Sequence, residues 1–220
     1  MKFYDEAFKS AAIVTNAFAT GQLEGYPADG GVSLPWLCNM AINAGAGDHL
    51  EIGTSWGASA IAVALAKKAA GIPGKVYCVD PYPNKRAVSY SDDKKERATL
   101  AKVKANIEKA EVDIEVIRHS SKPFPKVLDD KHPEQFVSAY IDGDHLGDMP
   151  MNDLLECAKR TIYFVGVDNY EEGYPDVLDA VHKFSEDPEW NLFFKNFLFV
   201  AFRRVQPPRA SLLSSRPEHL

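Results

Sequence analysis

The chain has 220 residues, a formal net charge of −6, 45% hydrophobic and 25% charged residues. Such a length and composition describe one soluble globular domain with a full core. The acidic balance argues against a nucleic-acid surface, which needs clustered Lys and Arg, and no apolar run approaches the ~20 residues of a membrane helix.

The N-terminus carries Asp5 and Glu6 and lacks the basic-then-apolar order of a signal peptide. Cys38, Cys78 and Cys157 are odd in number and scattered, which suits reduced core thiols and a cytoplasmic location. Residues 3–20 read as a helix with Phe8, Ile13 and Phe18 as its apolar positions, followed by a Gly-, Pro- and Asp-rich loop at 21–31. A helix is expected at 34–44, stopped by Gly45 and Gly47, then a strand at 49–53 and a helix at 57–70. A turn at 71–74 leads into strand 75–80 and a loop at 81–91 that carries Tyr82, Lys85, Arg86 and Tyr90. Helix 92–110 follows, with Leu100, Val103 and Ile107 at helical period, and the mixed charges around Lys94 to Arg97 read as its solvated face. Strand 113–118, a short helix at 126–130, strand 136–141, helix 151–160, strand 161–167 and helix 175–185 complete the alternation. Residues 191–204 read as two strands broken near Lys195 and Asn196, and the tail from Gln206, rich in Pro and Ser, reads as disordered.

Strands alternating with helices and ending in a strand pair imply a doubly wound α/β sheet, mostly parallel, with an antiparallel strand at or near one edge. Residues 1–205 form a single domain with an N-terminal helical extension (1–45), and 206–220 a tail.

The run 49–59, His-Leu-Glu-Ile-Gly-Thr-Ser-Trp-Gly-Ala-Ser, reads as a strand, a glycine turn and a helix start. Such a turn lets backbone pass close to a ligand, and the free N–H groups of the helix start suit a carboxylate or phosphate. Alone it is weak, because Gly53 and Gly57 do not make the dinucleotide pattern. Asp80 closes the next strand, where an acid can accept both hydroxyls of a ribose. Asp142, Asp168 and Asn169 each lie just past an apolar strand. Two carboxylates and an amide oxygen suit a hard divalent cation, Mg²⁺, Mn²⁺ or Ca²⁺, but from spacing alone they are equally loop-capping acids. His145 shares the loop of Asp142 and reads either as a proton acceptor or as a satisfied loop histidine. His49, His132, His182 and His219 carry no functional reading.

These residues resemble the class I S-adenosylmethionine-dependent methyltransferases. Within them the chain is similar to the catechol and caffeoyl-CoA O-methyltransferases, to the macrocin-type sugar O-methyltransferases and to small domains with an I-D-G-D-H signature. The resemblance runs from about Gly31 to Phe184. Residues 51–59 match the pattern E-x-G-x-x-x-G-x-S. The resemblance implies a Rossmann-like, doubly wound sheet of seven strands with helices on both faces. It implies S-adenosylmethionine held by Glu51, Gly53, Thr54, Ser55, Gly57 and Ser59, with Ser59 on the cofactor's carboxylate, Asp80 on the ribose, Ser120 on the adenine side and Asp142 nearby. It implies a metal held by Asp142, Asp168 and Asn169. One departure matters: the catechol and caffeoyl-CoA enzymes carry a lysine three residues after the first metal aspartate, where this chain has His145.

The function expected is methyl transfer from S-adenosylmethionine to a hydroxyl of a small molecule, assisted by a divalent cation, with His145 as base and Asp142 beside it. A metal-dependent hydroxylase or another enzyme on the same scaffold, and a non-catalytic cofactor-binding subunit, are the alternatives. No nucleic-acid or membrane partner is expected, and a homodimer is left open.

Overall fold

The computed structural model describes residues 2–27, 31–82, 98–122, 128 and 132–206. The readings made for residues 83–97, for the short helix at 126–130 apart from Leu128, and for the tail beyond Gln206 lie outside the described residues.

The elements run α1 (Lys2–Ala19), α2 (Leu34–Asn43), β1 (His49–Ile52), α3 (Ala58–Ala69), β2 (Val76–Asp80), α4 (Leu100–Ala110), β3 (Ile114–Arg118), β4 (Phe136–Ile141), α5 (Met149–Arg160), β5 (Thr161–Val167), α6 (Pro175–Phe184), β6 (Trp190–Lys195) and β7 (Val200–Arg204). The strands form one seven-stranded sheet in the order β3-β2-β1-β4-β5-β7-β6. β1 to β5 are mutually parallel, and β7 runs antiparallel to both β5 and β6. The reversed strand therefore lies one place in from the edge. The break expected near Lys195 and Asn196 is a turn, in which Asn196 Oδ1 accepts from the amides of Leu198 and Phe199.

All six residues of β4 are buried, as befits a central parallel strand covered on both faces. One face packs Leu50, Ile52, Phe136 and Val165 against Leu154 of α5 and Val181 of α6. The other packs Tyr140, Phe164 and Phe199 against Leu37 and Met40 of α2 and Val63 of α3. Ala7, Ala11, Val14 and Phe18 make the buried stripe of α1, at helical spacing, against α2 and α3.

α4 begins later than the 92–110 reading. Ala98 is not helical, and Thr99 takes an extended conformation as N-cap, its hydroxyl accepting from the Lys102 amide. A threonine at the helix start competes for the backbone and sets the boundary.

The strand order reverses between β1 and β4: β2 and β3 extend one way and β5 the other. Outside the carboxyl ends of strands at such a reversal, connecting loops diverge and leave a crevice.

Candidate functional site

The crevice is lined by the turn after β1, the start of α3, the end of β4 and the start of α2. Thr54, Ser55, Trp56, Ala58 and Ser59 come from the first two, Tyr140 and Asp142 from β4 and its end, and Tyr26, Ser33 and Leu34 from the N-terminal extension. The turn must pass very close to the end of β4. Gly53 has φ +86°, and a Cβ built there would stand 1.9 Å from the Asp142 carbonyl oxygen, so no other residue fits.

Asp80 holds this turn in shape. Its Oδ2 accepts from the amides of Thr54 and Ser55, both at 3.0 Å, and its Oδ1 from the Tyr82 amide at 2.9 Å. Tyr82 in turn donates its hydroxyl to the Ser55 carbonyl. From the other side, Asn106 of α4 clamps the turn to the 21–27 loop. It donates to the carbonyls of Trp56 and Glu24 and accepts from the Glu24 amide.

Two buried polar groups belong to this region. Glu51 is fully buried, and neither carboxyl oxygen has a well-formed hydrogen bond among the described residues; the Thr54 hydroxyl is in the same state. Burial holds the Glu51 carboxyl well above the usual range, and the nearby charges of Asp142 and Asp80 add to this while the Ser59 hydroxyl opposes it. An uncharged acid beneath the helix start can donate a proton in a hydrogen bond as well as accept one.

At the strand ends, Asp142 and Asp168 follow adjacent paired strands. Asp168 is 1% exposed and accepts from Ser33 Oγ at 2.9 Å. Asn169 adopts φ +57°, the left-handed region that Asn tolerates. His145 lies in the loop after β4, its Nε2 3.4 Å from Asp142 Oδ1 and its ring 4.8 Å from that of Tyr174. Burial works against charge on this imidazole, but Asp142, Asn169 and Asp144 outweigh it and raise its pKa above the ordinary value.

Of the residues singled out from the sequence, the crevice thus gathers Thr54, Ser55, Ser59 and Asp142, with Gly53, Gly57 and Glu51 supporting the turn from within. Ser120 is exposed at the end of β3, whereas its neighbour Ser121 is buried. Tyr26, Ser33, Trp56 and Tyr140 were not anticipated.

A model of the methyltransferase domain matches residues 50–163, just over half the chain. The chain belongs to this methyltransferase-domain family. No curated protein matches it significantly. The methyltransferase shares its fold with the O-methyltransferase NovP, at a TM-score of 0.61 and 18% identity over 81% of this chain and 84% of that one. The O-methyltransferase of Bacillus cereus, solved in complex with S-adenosylhomocysteine, also gives 0.61 and 18%, over 89% and 90%. TomG of Streptomyces achromogenes, an O-methyltransferase of tomaymycin synthesis solved with S-adenosylmethionine, gives 0.59 and 16%, over 89% of each chain.

The donor set expected for a divalent cation can be tested against this geometry. Asp142 Oδ1 faces the His145 imidazole, Asn169 also favours that ring's charged form, and Asp168 Oδ1 takes the Ser33 hydroxyl. Among the described residues no three His, Cys, Asp or Glu side chains converge as ion ligands do. In this arrangement one oxygen of each aspartate, Oδ1, already meets a protein group. Among the same residues, no helix is long and apolar enough to cross a membrane.

Proposed function

We propose that this methyltransferase transfers the methyl group of S-adenosylmethionine to a hydroxyl oxygen of a small molecule. The carrying observation is the crevice at the strand reversal, which joins a glycine turn with buried polar groups to Asp142, whose carboxylate has the His145 imidazole 3.4 Å away. The two relatives solved with S-adenosylmethionine or its product share this fold.

The residues present fit such a cofactor. Gly53 seats the turn against the end of β4, the Thr54 hydroxyl and the Glu51 carboxyl offer hydrogen bonds, and Ser59 stands in the first turn of α3, where free amides favour a carboxylate. Asp80 already accepts from the turn on Oδ2 and from the Tyr82 amide on Oδ1, so its contact with a ribose would use remaining lone pairs. When bound, the cofactor supplies an electrophilic methyl carbon. The protein's part is to hold the acceptor hydroxyl in line and to take its proton. His145 is the base. Asp142 and Asn169 orient the ring, Tyr174 packs beside it, and in the neutral imidazole the unprotonated nitrogen can accept the hydroxyl's proton.

Cation assistance is the competing reading, favoured by the placement of Asp142, Asp168 and Asn169 at neighbouring strand ends. Calorimetry with S-adenosylhomocysteine and product detection with hydroxylated acceptors test the proposal. Binding of NAD in place of S-adenosylhomocysteine refutes it. Cofactor binding without methylated product points to another reaction on the scaffold or to a non-catalytic subunit. Full activity in excess EDTA supports His145 acting alone, and loss restored by Mg²⁺ or Mn²⁺ supports the cation.

A further inference from the structure

The loop from Gly143 to Asp148 carries His145 from the end of β4 to α5, and it is held unevenly. Its start is packed: a Cβ on Gly143 would stand 3.1 Å from Ile52 of β1 and 3.1 Å from the carboxyl of Asp153, a fully buried residue of α5. Its middle is open. Leu146 is exposed, and a Cβ on Gly147 would meet nothing within 4 Å. The Leu146 amide donates to Asp144 within the loop itself, and the Lys122–Asp148 pair at the far end is exposed, so neither ties the loop firmly to the core.

A contact from α6 does. Asp176 Oδ2 accepts from the Gly147 amide at 2.7 Å, the length of a charge-assisted bond. Asp176 is a firm post because α6 is anchored behind it: Val177, Ala180, Val181 and Phe184 are buried, and Pro175 fixes the backbone of the first turn. Tyr174, two residues before Asp176, sets its ring 4.8 Å from that of His145. The segment 174–176 therefore meets the loop twice, at the His145 side chain and at the backbone two residues on. An acid in the first turn of a helix also offsets the macrodipole, but that role asks only for charge, not for an oxygen aimed at an amide 29 residues away.

We propose that Asp176 is a positioning residue for His145: through the Gly147 amide it holds the loop so that the imidazole keeps its contacts with Asp142 and Tyr174. Its effect on rate rests on the reading of His145 as the base.

The test has two arms, both on the full chain. The first is proton NMR without ligand. The His145 ring resonances, identified by their loss in His145→Gln, carry the ring-current shift of Tyr174. Asp176→Ala should move them toward the positions of an exposed histidine and speed hydrogen exchange at the Gly147 amide about tenfold, the worth of one hydrogen bond to a charged group. Asp176→Asn loses the charge but keeps an acceptor oxygen, and should leave both signals near wild type. The second arm is methyl transfer from S-adenosylmethionine to a phenol or aliphatic alcohol that wild-type protein accepts. Asp176→Ala should lower kcat about tenfold and leave KM for S-adenosylmethionine within about twofold, because a small misplacement of the base costs rate rather than binding. Asp176→Asn should restore most of kcat, and Asp176→Ala should cost nothing further in a His145→Ala background. If Asp176→Ala fails to fold, Asp176→Glu, which keeps the charge but moves the oxygen, takes its place. Unmoved ring and amide signals in the Ala variant, with melting temperature lowered equally in Ala and Asn, would reduce Asp176 to the macrodipole and overturn the proposal. Equal loss of kcat in Ala and Asn, unchanged kcat in Ala, or a loss that persists without His145 would overturn it as well. If wild-type protein transfers no methyl group, the reaction proposed above fails, while the first arm still decides whether Asp176 positions the loop.

Discussion

Ser33 Oγ donates a 2.9 Å hydrogen bond to Oδ1 of Asp168, joining the start of α2 to the end of β5 across 135 positions of the chain. Both side chains are buried. Ser33→Ala withdraws a donor from a buried carboxylate, and hydrogen bonds to charged groups are worth about 1.5–3 kcal/mol. Denaturant unfolding should show a loss in that range. A change under about 0.5 kcal/mol, the scale of an ordinary surface substitution, would mean that Asp168 is held by its other contacts.

Gly53→Ala is expected to be severe. The added Cβ would overlap the Asp142 carbonyl oxygen, and the backbone is in the left-handed region, itself worth about 1–2 kcal/mol against a non-glycine residue. The variant should lose S-adenosylhomocysteine binding by calorimetry even where circular dichroism shows a folded protein. Retention of wild-type affinity would show that the turn can move away from β4.

Asp80→Ala should act twice. It removes the acceptor for the Thr54 and Ser55 amides, so thermal stability should fall together with cofactor affinity. Loss of a charge-assisted contact predicts about 1.5–3 kcal/mol in binding, roughly 10- to 150-fold in Kd. A variant with normal affinity and a lowered melting temperature would confine Asp80 to the turn.

His145 should appear in the pH profile. As a base it must be neutral, and its pKa is raised above 6.5 by Asp142, Asn169 and Asp144 against the opposing effect of burial. kcat/KM should therefore rise with pH through an apparent pKa above 6.5, and His145→Ala should lower kcat by roughly 10²–10⁴ and abolish that limb. An unaltered profile in the variant removes His145 from the proton transfer.

His49 offers a separate check on stability. It is fully buried with Nδ1 at 2.8 Å from Ser138 Oγ, and burial, aided by the charge of Lys67, lowers its pKa to about 3. Below about pH 6.5 the unfolded chain binds a proton here and the folded chain does not, so this group erodes stability by about 1.4 kcal/mol per pH unit as pH falls toward 4. Asp153 and Glu51, with raised pKa values, act in the opposite sense over part of that range. The readout is therefore the difference between proteins: His49→Asn should gain on wild type by about that slope between pH 6 and 4. Parallel pH curves for the two proteins would contradict the assignment of a buried neutral imidazole.

Much of this architecture was legible in the sequence because it is written in local periodicity. The alternation of β and α elements, the turn at Asn196 and the glycine turn all depend on near neighbours. What depends on distant ones was not visible. Asp80 reads as a ribose acid, but nothing local shows that its carboxylate already closes the turn 25 residues earlier. That Ser120 is exposed and Ser121 buried was equally hidden, because adjacent serines at a strand end differ only in which one the fold turns inward. Asp153 looked like any polar residue on an amphipathic helix, and His49 like the bland first residue of a strand. The contacts of Asp168 with Ser33 and of Asp142 with His145 are likewise set by the tertiary fold, and the Ser33 contact is invisible until α2 is docked.

The Asn106 clamp carries a consequence for protein engineering. Its amide fastens the 21–27 loop to the Trp56 turn, so the stretch before β1 and the helix after β2 are matched parts. Recombining homologous enzymes at the boundaries of the 50–163 match would pair an N-terminal stretch from one parent with an α4 from another. The crevice wall built by Tyr26, Ser33 and Leu34 would then come from the wrong parent, seated on an anchor that did not evolve with it. Chimeras should inherit both pieces together, because the unit of exchange is the clamped pair and not the contiguous segment.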